Sequence, residues 1–147
     1  MFDPSATIAD LLATADRPLY SFEFFPPKDA EAAALLFRTM DELADVEPDF
    51  VSVTYGASGS TRERTIEITE KLARTQHRVM AHLTCVSQSK QQLLDVLAAY
   101  AAAGLTHVLA VRGDPPGGPT APWQQHPEGL ANATELVRLI RAAGDFC

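Results

Sequence analysis

Cysteine is nearly absent: the 147-residue sequence holds only Cys85 and Cys147. They lie far apart and outside any CxxC or Cys/His cluster, which excludes a disulfide framework and a zinc site and leaves two free thiols. No metal role is expected. Cations are outnumbered, with 12 Lys and Arg against 19 Asp and Glu for a formal charge of -7. A field of that sign repels phosphate backbones and anionic lipid surfaces, so nucleic acid is excluded as a partner. No apolar run approaches the roughly 20 residues that span a bilayer. Met1-Phe2-Asp3-Pro4-Ser5 lacks the basic and continuous apolar segments of a secretory leader, so a soluble, cytoplasmic protein with no membrane partner is expected. What the sequence does have is 46% hydrophobic residues, enough for one ordinary domain with a core.

Those residues alternate between two patterns. Leu19 to Phe25 mixes aromatic and apolar residues and stops at Pro26-Pro27, where a strand ends because proline donates no ladder hydrogen bond. Leu35, Leu36, Met40 and Leu43 recur at helical spacing between Asp29 and Ala44, and Pro48 closes that segment. Phe50 to Thr54 reads as a second strand, followed by the small, polar run Gly56 to Ser60. Ser60 with Glu63 makes a capping-box pattern for a helix whose apolar side is Ile66, Ile68 and Leu72. A third strand runs from Val79 to Val86. Ser89 and Gln92 then repeat the cap pattern before the apolar run Leu93 to Ala103, which Gly104 closes. His107 to Val111 is the fourth strand. The Gly/Pro-rich loop from Gly113 to Pro127 is longer than most βα loops and therefore a functional candidate. A helix from about Asn132 to Ala143 ends at Gly144, and Asp145-Phe146-Cys147 leaves it with no following strand to pack beside.

Strand starts near Leu19, Phe50, Val79 and His107 recur about every 30 residues, the period of βα units in a barrel of about 250 residues. Alternation of this kind implies a parallel sheet covered by helices. Composition leaves two architectures open: a small doubly wound sheet, or half of a barrel whose first and fourth strands expose unpaired edges. In either one the loops after the strands gather at one face. Strand one ends near Glu23, strand two at Thr54-Tyr55, strand three between His82 and Thr84, and strand four at Arg112-Gly113-Asp114. Glu23 is flanked by Phe22 and Phe24, which predicts a carboxyl stripped of hydration, with a raised pKa suited to a general acid. A structural Glu paired with a cation is the other reading. Arg112-Gly113-Asp114 combines a fixed cation, a close-approaching backbone and an anion, or is a turn with a local ion pair. His82 reads as a core or wall histidine, Thr54 and Tyr55 as β-formers or contacts, and Trp123 and His126 as a lid or a loop anchor.

Four motifs in order, Ser21-Phe22-Glu23-Phe24-Phe25-Pro26-Pro27-Lys28, Phe50-Val51-Ser52-Val53-Thr54-Tyr55-Gly56-Ala57, Ala81-His82-Leu83-Thr84-Cys85 and Leu109-Ala110-Val111-Arg112-Gly113-Asp114-Pro115-Pro116-Gly117, resemble the methylenetetrahydrofolate reductases. The resemblance covers essentially all of the chain after its N-terminal segment. It implies a TIM (β/α)8 barrel, of which residues 1–147 supply, as a single partial domain, an N-terminal helix and the first four βα units, stopping before strand five. It implies FAD, reduced by NADH or NADPH, and reduction of 5,10-methylenetetrahydrofolate to 5-methyltetrahydrofolate, the methyl donor for methionine synthesis. Carried over residue by residue, Glu23 is the proton donor that opens the imidazolidine ring at N10. Asp114 stands near the flavin and the folate iminium, where a fixed negative charge stabilises developing positive charge and lowers the flavin's electron affinity. Both would touch the folate. Thr54, Tyr55, Ala57, His82, Arg112 and Gly113 match positions that hold FAD or the nicotinamide, and Asn132-Ala133 stands where the family commonly has a flavin-contacting Tyr-Ala. No separate Gly-rich dinucleotide fingerprint is present, so the nicotinamide is expected to share the flavin's face. The family's later strands supply further contacts, which makes a complementary barrel half or a homo-oligomer a candidate partner. The competing readings are a non-catalytic half-barrel with weak or no flavin binding and a small open-sheet ligand-binding protein.

Overall fold

Short β-branched and aromatic runs alternate with amphipathic helices along the chain, and the computed structural model, which describes residues 6–56, 59–75 and 77–147, turns that alternation into one sheet with a helical cover. The elements are α1 (Ile8–Thr14), β1 (Ser21–Phe24), α2 (Ala30–Leu43), β2 (Phe50–Val53), α3 (Gly59–Ala73), β3 (Val79–Thr84), α4 (Lys90–Ala102), β4 (His107–Val111) and α5 (Ala133–Ala143). All four strands are parallel and lie in the order β1-β2-β3-β4. That order never reverses, whereas a doubly wound sheet requires a reversal. The small doubly wound sheet left open by composition is therefore not the architecture adopted.

Side-chain alternation divides the sheet into two faces. Val51 and Val53 of β2 and Val79, Ala81 and Leu83 of β3 point to the helices. They meet Leu36 and Met40 of α2, Ile68 and Leu72 of α3, Leu93, Val96, Leu97 and Tyr100 of α4, and Leu136 and Ile140 of α5 in one core. Each fully covered aliphatic side chain contributes about 1.5–3 kcal/mol of transfer free energy. Ser21, Glu23, Ser52, Thr54, Met80, His82, Thr84, Leu109 and Val111 alternate with these core-facing residues and point to the opposite face. On that face Leu109 and Val111 are exposed.

The local signals explain most element ends. Asp29 caps α2 by accepting from Ala32 N, and the Ser89/Gln92 box forms in both directions at α4, at 3.2 and 2.9 Å. Helix α3 begins at Gly59, one residue ahead of the Ser60 expected as its cap. The C-terminal tail differs more. Phe146 is buried in the core, and Cys147 donates to Thr106 O (2.7 Å) and accepts from Val108 N (3.0 Å). That is the bonding of a parallel bridge beside His107, in the place of a fifth strand, so the tail does pack beside β4.

At the amino ends of the strands, α1 and the preceding loops are fastened by polar contacts. Arg17 holds the Asp49 carboxylate at 2.5 Å, and Asp49 also accepts from Tyr20 N at 2.8 Å. Arg78 donates to Ala6 O and Asp49 O, each at 2.9 Å, while Ile8 N donates to His107 Nε2 at 3.2 Å. The Arg17 guanidinium holds the Asp49 carboxyl below the ordinary carboxylate range, with the Tyr20 amide adding to the effect.

Candidate active site

The carboxyl ends of parallel strands are where loops converge and ligands bind. Glu23 stands on the open face of β1 and His82 on the same face of β3, with Glu23 Oε2 3.6 Å from His82 Nε2. That distance is too long for a hydrogen bond. The imidazole is buried, and burial pushes its pKa below the ordinary 6.5, against a smaller upward pull from Glu23. A neutral imidazole offers one donor and one acceptor nitrogen. Tyr100, fully buried below β3, donates its hydroxyl to His82 O at 3.2 Å and fixes the strand at this point.

His82 Nε2 and Thr84 Oγ1 are buried polar atoms without a hydrogen-bond partner among the described residues. They sit two positions apart on β3 and so share the open face. Leaving a buried polar atom unpaired costs about 1–3 kcal/mol, and such atoms are rare enough to mark a place where something else binds.

Two expectations about Glu23 and Tyr55 require correction. The Glu23 side chain is 52% exposed. Phe22 and Phe24 flank it in sequence but, being the alternate residues of a strand, point to the helical side and cannot strip water from it. For the same reason Tyr55 lies on the helical side of the sheet, packed against the core, with its hydroxyl donating to Gln88 Oε1 at 3.0 Å. Thr54 points to the open face. Ala57 lies outside the described residues.

Beyond β4, Arg112 and Asp114 are both exposed and do not pair with each other, which removes the local ion pair as an explanation of the motif. Gly113 has φ +82, and a Cβ there would stand 2.6 Å from Val86 Cγ1 and 3.0 Å from Thr84 Cβ. Only glycine allows this turn to press against the end of β3. The Cys85 thiol donates to Arg112 O at 3.5 Å, and burial pushes that thiol's pKa up, away from reactivity. Asn132 Oδ1 caps α5 by accepting from Glu135 N at 3.0 Å, while Glu135 Oε2 accepts from Ala131 N. The Asn132 amide oxygen is thus engaged in holding the helix start, beside a half-buried Ala133.

Gln88 gave no sign in the sequence. It is fully buried, donates to Thr84 O at 2.6 Å and accepts from Tyr55, tying the ends of β2 and β3 together. A glutamine between a strand and a capping box carries no motif, so only the tertiary structure reveals it. The arrangement as a whole offers a carboxyl acid or base, a neutral imidazole, a free hydroxyl, an unpaired guanidinium and an unpaired carboxylate around one sheet end.

A family model described as Methylenetetrahydrofolate reductase matches residues 7–147. The 5,10-methylenetetrahydrofolate reductase of Pectobacterium carotovorum subsp. carotovorum is 38% identical over 127 residues, covering 86% of this chain and 40% of that protein. The protein of that name from Escherichia coli (strain K12) is 37% identical over the same length, again with 86% and 40% covered. A probable methylenetetrahydrofolate reductase (NADH) of Oryza sativa subsp. japonica is 41% identical over 140 residues, covering 91% of this chain and 23% of that protein. The chain thus spans 40% of these bacterial relatives and 23% of the rice one.

Proposed function

The chain belongs to the methylenetetrahydrofolate reductase family, and from that premise we propose that it supplies the acid-bearing half of a TIM-barrel enzyme that reduces 5,10-methylenetetrahydrofolate to 5-methyltetrahydrofolate with FAD and a nicotinamide donor. One observation carries the reading: two buried, partnerless polar atoms, His82 Nε2 and Thr84 Oγ1, on the sheet face where Glu23 stands. FAD suits this donor set, since its ring nitrogens and carbonyl oxygens match an imidazole and a hydroxyl, and its pyrophosphate matches an unpaired guanidinium. When bound, FAD supplies two-electron transfer from the nicotinamide to the folate.

The chain's own residues do the rest. His82, Thr84 and Thr54 line the open face and orient the ring system, while Gly113 lets the backbone approach it and Arg112 takes the phosphates. Tyr55 acts from behind the sheet, through Gln88. Glu23, half exposed beside the imidazole, takes a proton from water and delivers it to N10 of the folate, opening the ring. Asp114 sets a negative charge near the folate cation that follows. The NADH in the name of the rice relative supports NADH as the donor. The unreversed strand order, the one-sided helical cover and the parallel bridge at Cys147 support a closed barrel, with further strands or an associating half covering the open face. A cytoplasmic location fits a soluble folate enzyme, and among the described residues no helix is long and apolar enough to cross a membrane.

The test separates the two half-reactions in the protein as its gene encodes it. Glu23→Gln is expected to leave NADH oxidation with an artificial electron acceptor unchanged and to slow folate reduction roughly 10²–10⁴-fold, the usual effect of removing a general acid. Equal loss of both half-reactions would make Glu23 a structural residue and overturn the assignment.

A further inference from the structure

We propose that Trp123 is a positioning residue that acts through Arg112, holding its guanidinium over the indole so that its free N–H groups are presented to the pyrophosphate of the flavin cofactor; this rests on the flavin reading above. The Arg112 guanidinium carbon lies 4.7 Å from the centroid of the Trp123 ring, well inside the distance at which a cation is attracted to an aromatic face. Among the described residues its only hydrogen bond is a long one, Nε to Gly113 O at 3.4 Å. Both terminal nitrogens are without a partner among the described residues, although Asp114 is two residues away. The ring contact is centred on the guanidinium carbon, whereas the N–H bonds point outward from it. The pair therefore steers the cation while leaving its donors available for a bidentate contact with phosphate.

The loop that carries the indole is itself fastened. Lys90 N donates to Glu128 O at 2.9 Å, Gln125 Nε2 to Gly129 O at 3.0 Å and Gly129 N to His126 O at 2.8 Å, so the segment after Trp123 is anchored to the start of α4. An arginine held in place by such a support loses less rotational freedom when the anion arrives than a free one does. FAD carries its negative charge on the pyrophosphate, and riboflavin has the same ring system without the pyrophosphate and adenosine. The two ligands thus separate contact with that arm from contact with the ring, and the Arg112→Ala background ties the arm contact to the guanidinium.

The experiment is a titration of FAD and of riboflavin into the full protein, its Trp123→Ala, Trp123→Phe and Arg112→Ala variants, and the Trp123→Ala/Arg112→Ala double variant, with Tm measured for each. Trp123→Ala is expected to weaken FAD about tenfold and riboflavin not at all, with Trp123→Phe restoring most of the loss. In the Arg112→Ala background, Trp123→Ala should have no further effect, because the interaction it removes is already gone. Equal weakening of riboflavin and FAD, or additive losses in the double variant, would overturn the proposal while leaving the flavin reading intact. Failure of the unsubstituted protein to bind FAD would overturn both.

Discussion

The amino ends of the four strands and their carboxyl ends both carry charged and polar side chains, but buried polar atoms are left unmatched at the carboxyl end. At the amino end Asp49 is held by Arg17 and by Tyr20 N, Arg78 reaches two backbone carbonyls, and His107 accepts from Ile8 N. At the carboxyl end Glu23 stops 3.6 Å short of His82, Thr84 Oγ1 is unpaired, and Arg112 and Asp114 ignore each other. Matched polar groups stabilise the chain that makes them; unmatched ones weaken it and are tolerable where a ligand completes them. The comparison assigns stability to one rim and, on the proposed function, chemistry to the other.

Substitutions on the two rims should therefore move different observables, except at Gly113, whose turn is packed against the end of β3. The largest effect is expected from Gly113→Ala, where a Cβ in a left-handed backbone would press on Val86; about 3 kcal/mol of stability should be lost because the turn packs β3, and with it, on the proposed function, FAD affinity. Urea unfolding measures the first loss and flavin titration the second; a Gly113→Ala protein of unchanged stability would refute the packing account. Next comes Asp49→Ala, which leaves Tyr20 N without its acceptor and Arg17 with only Pro18 O, and should cost about 2 kcal/mol with FAD affinity intact. The smallest effect is on pH dependence. Burial, with Arg78 nearby, pushes the His107 pKa below 6.5, so the folded state favours the neutral ring. Its contribution is complete above 6.5 and lost as pH falls through the lowered folded value; His82 acts in the same direction. Asp49, lowered from 3.8, adds a second loss at more acid pH. Unfolding free energies between pH 7.5 and 5 should fall less steeply in His107→Gln, whose amide oxygen can still accept from Ile8 N without titrating.

Much of the fold was legible because its signals are local. The Ser89/Gln92 box, the helix begun near Asp29 and the limits of β4 need only a few neighbouring residues to be read, and the βα period predicts the parallel order. The site was legible as a set of strand ends but not as an environment. Reading Phe22 and Phe24 as the surroundings of Glu23 confuses adjacency in sequence with adjacency in space, which strand alternation separates. The same alternation turns Tyr55 toward Gln88 while Thr54 faces the open side. Asn132 shows a third limit: a side chain expected to contact a ligand is engaged by its own helix start. The Cys147 bridge to β4 depends on pairing between segments distant in sequence, which no local pattern encodes.

The division between the rims is tested most directly by titrating FAD into His82→Leu and Asp49→Ala and recording Tm for both. His82→Leu removes a buried nitrogen that has no partner, so it should bind FAD at least tenfold more weakly with Tm unchanged or raised, while Asp49→Ala should lower Tm and keep the affinity of the unsubstituted protein. Loss of affinity in proportion to lost stability in both variants would contradict the account, because the two ends of the sheet would then be serving one purpose.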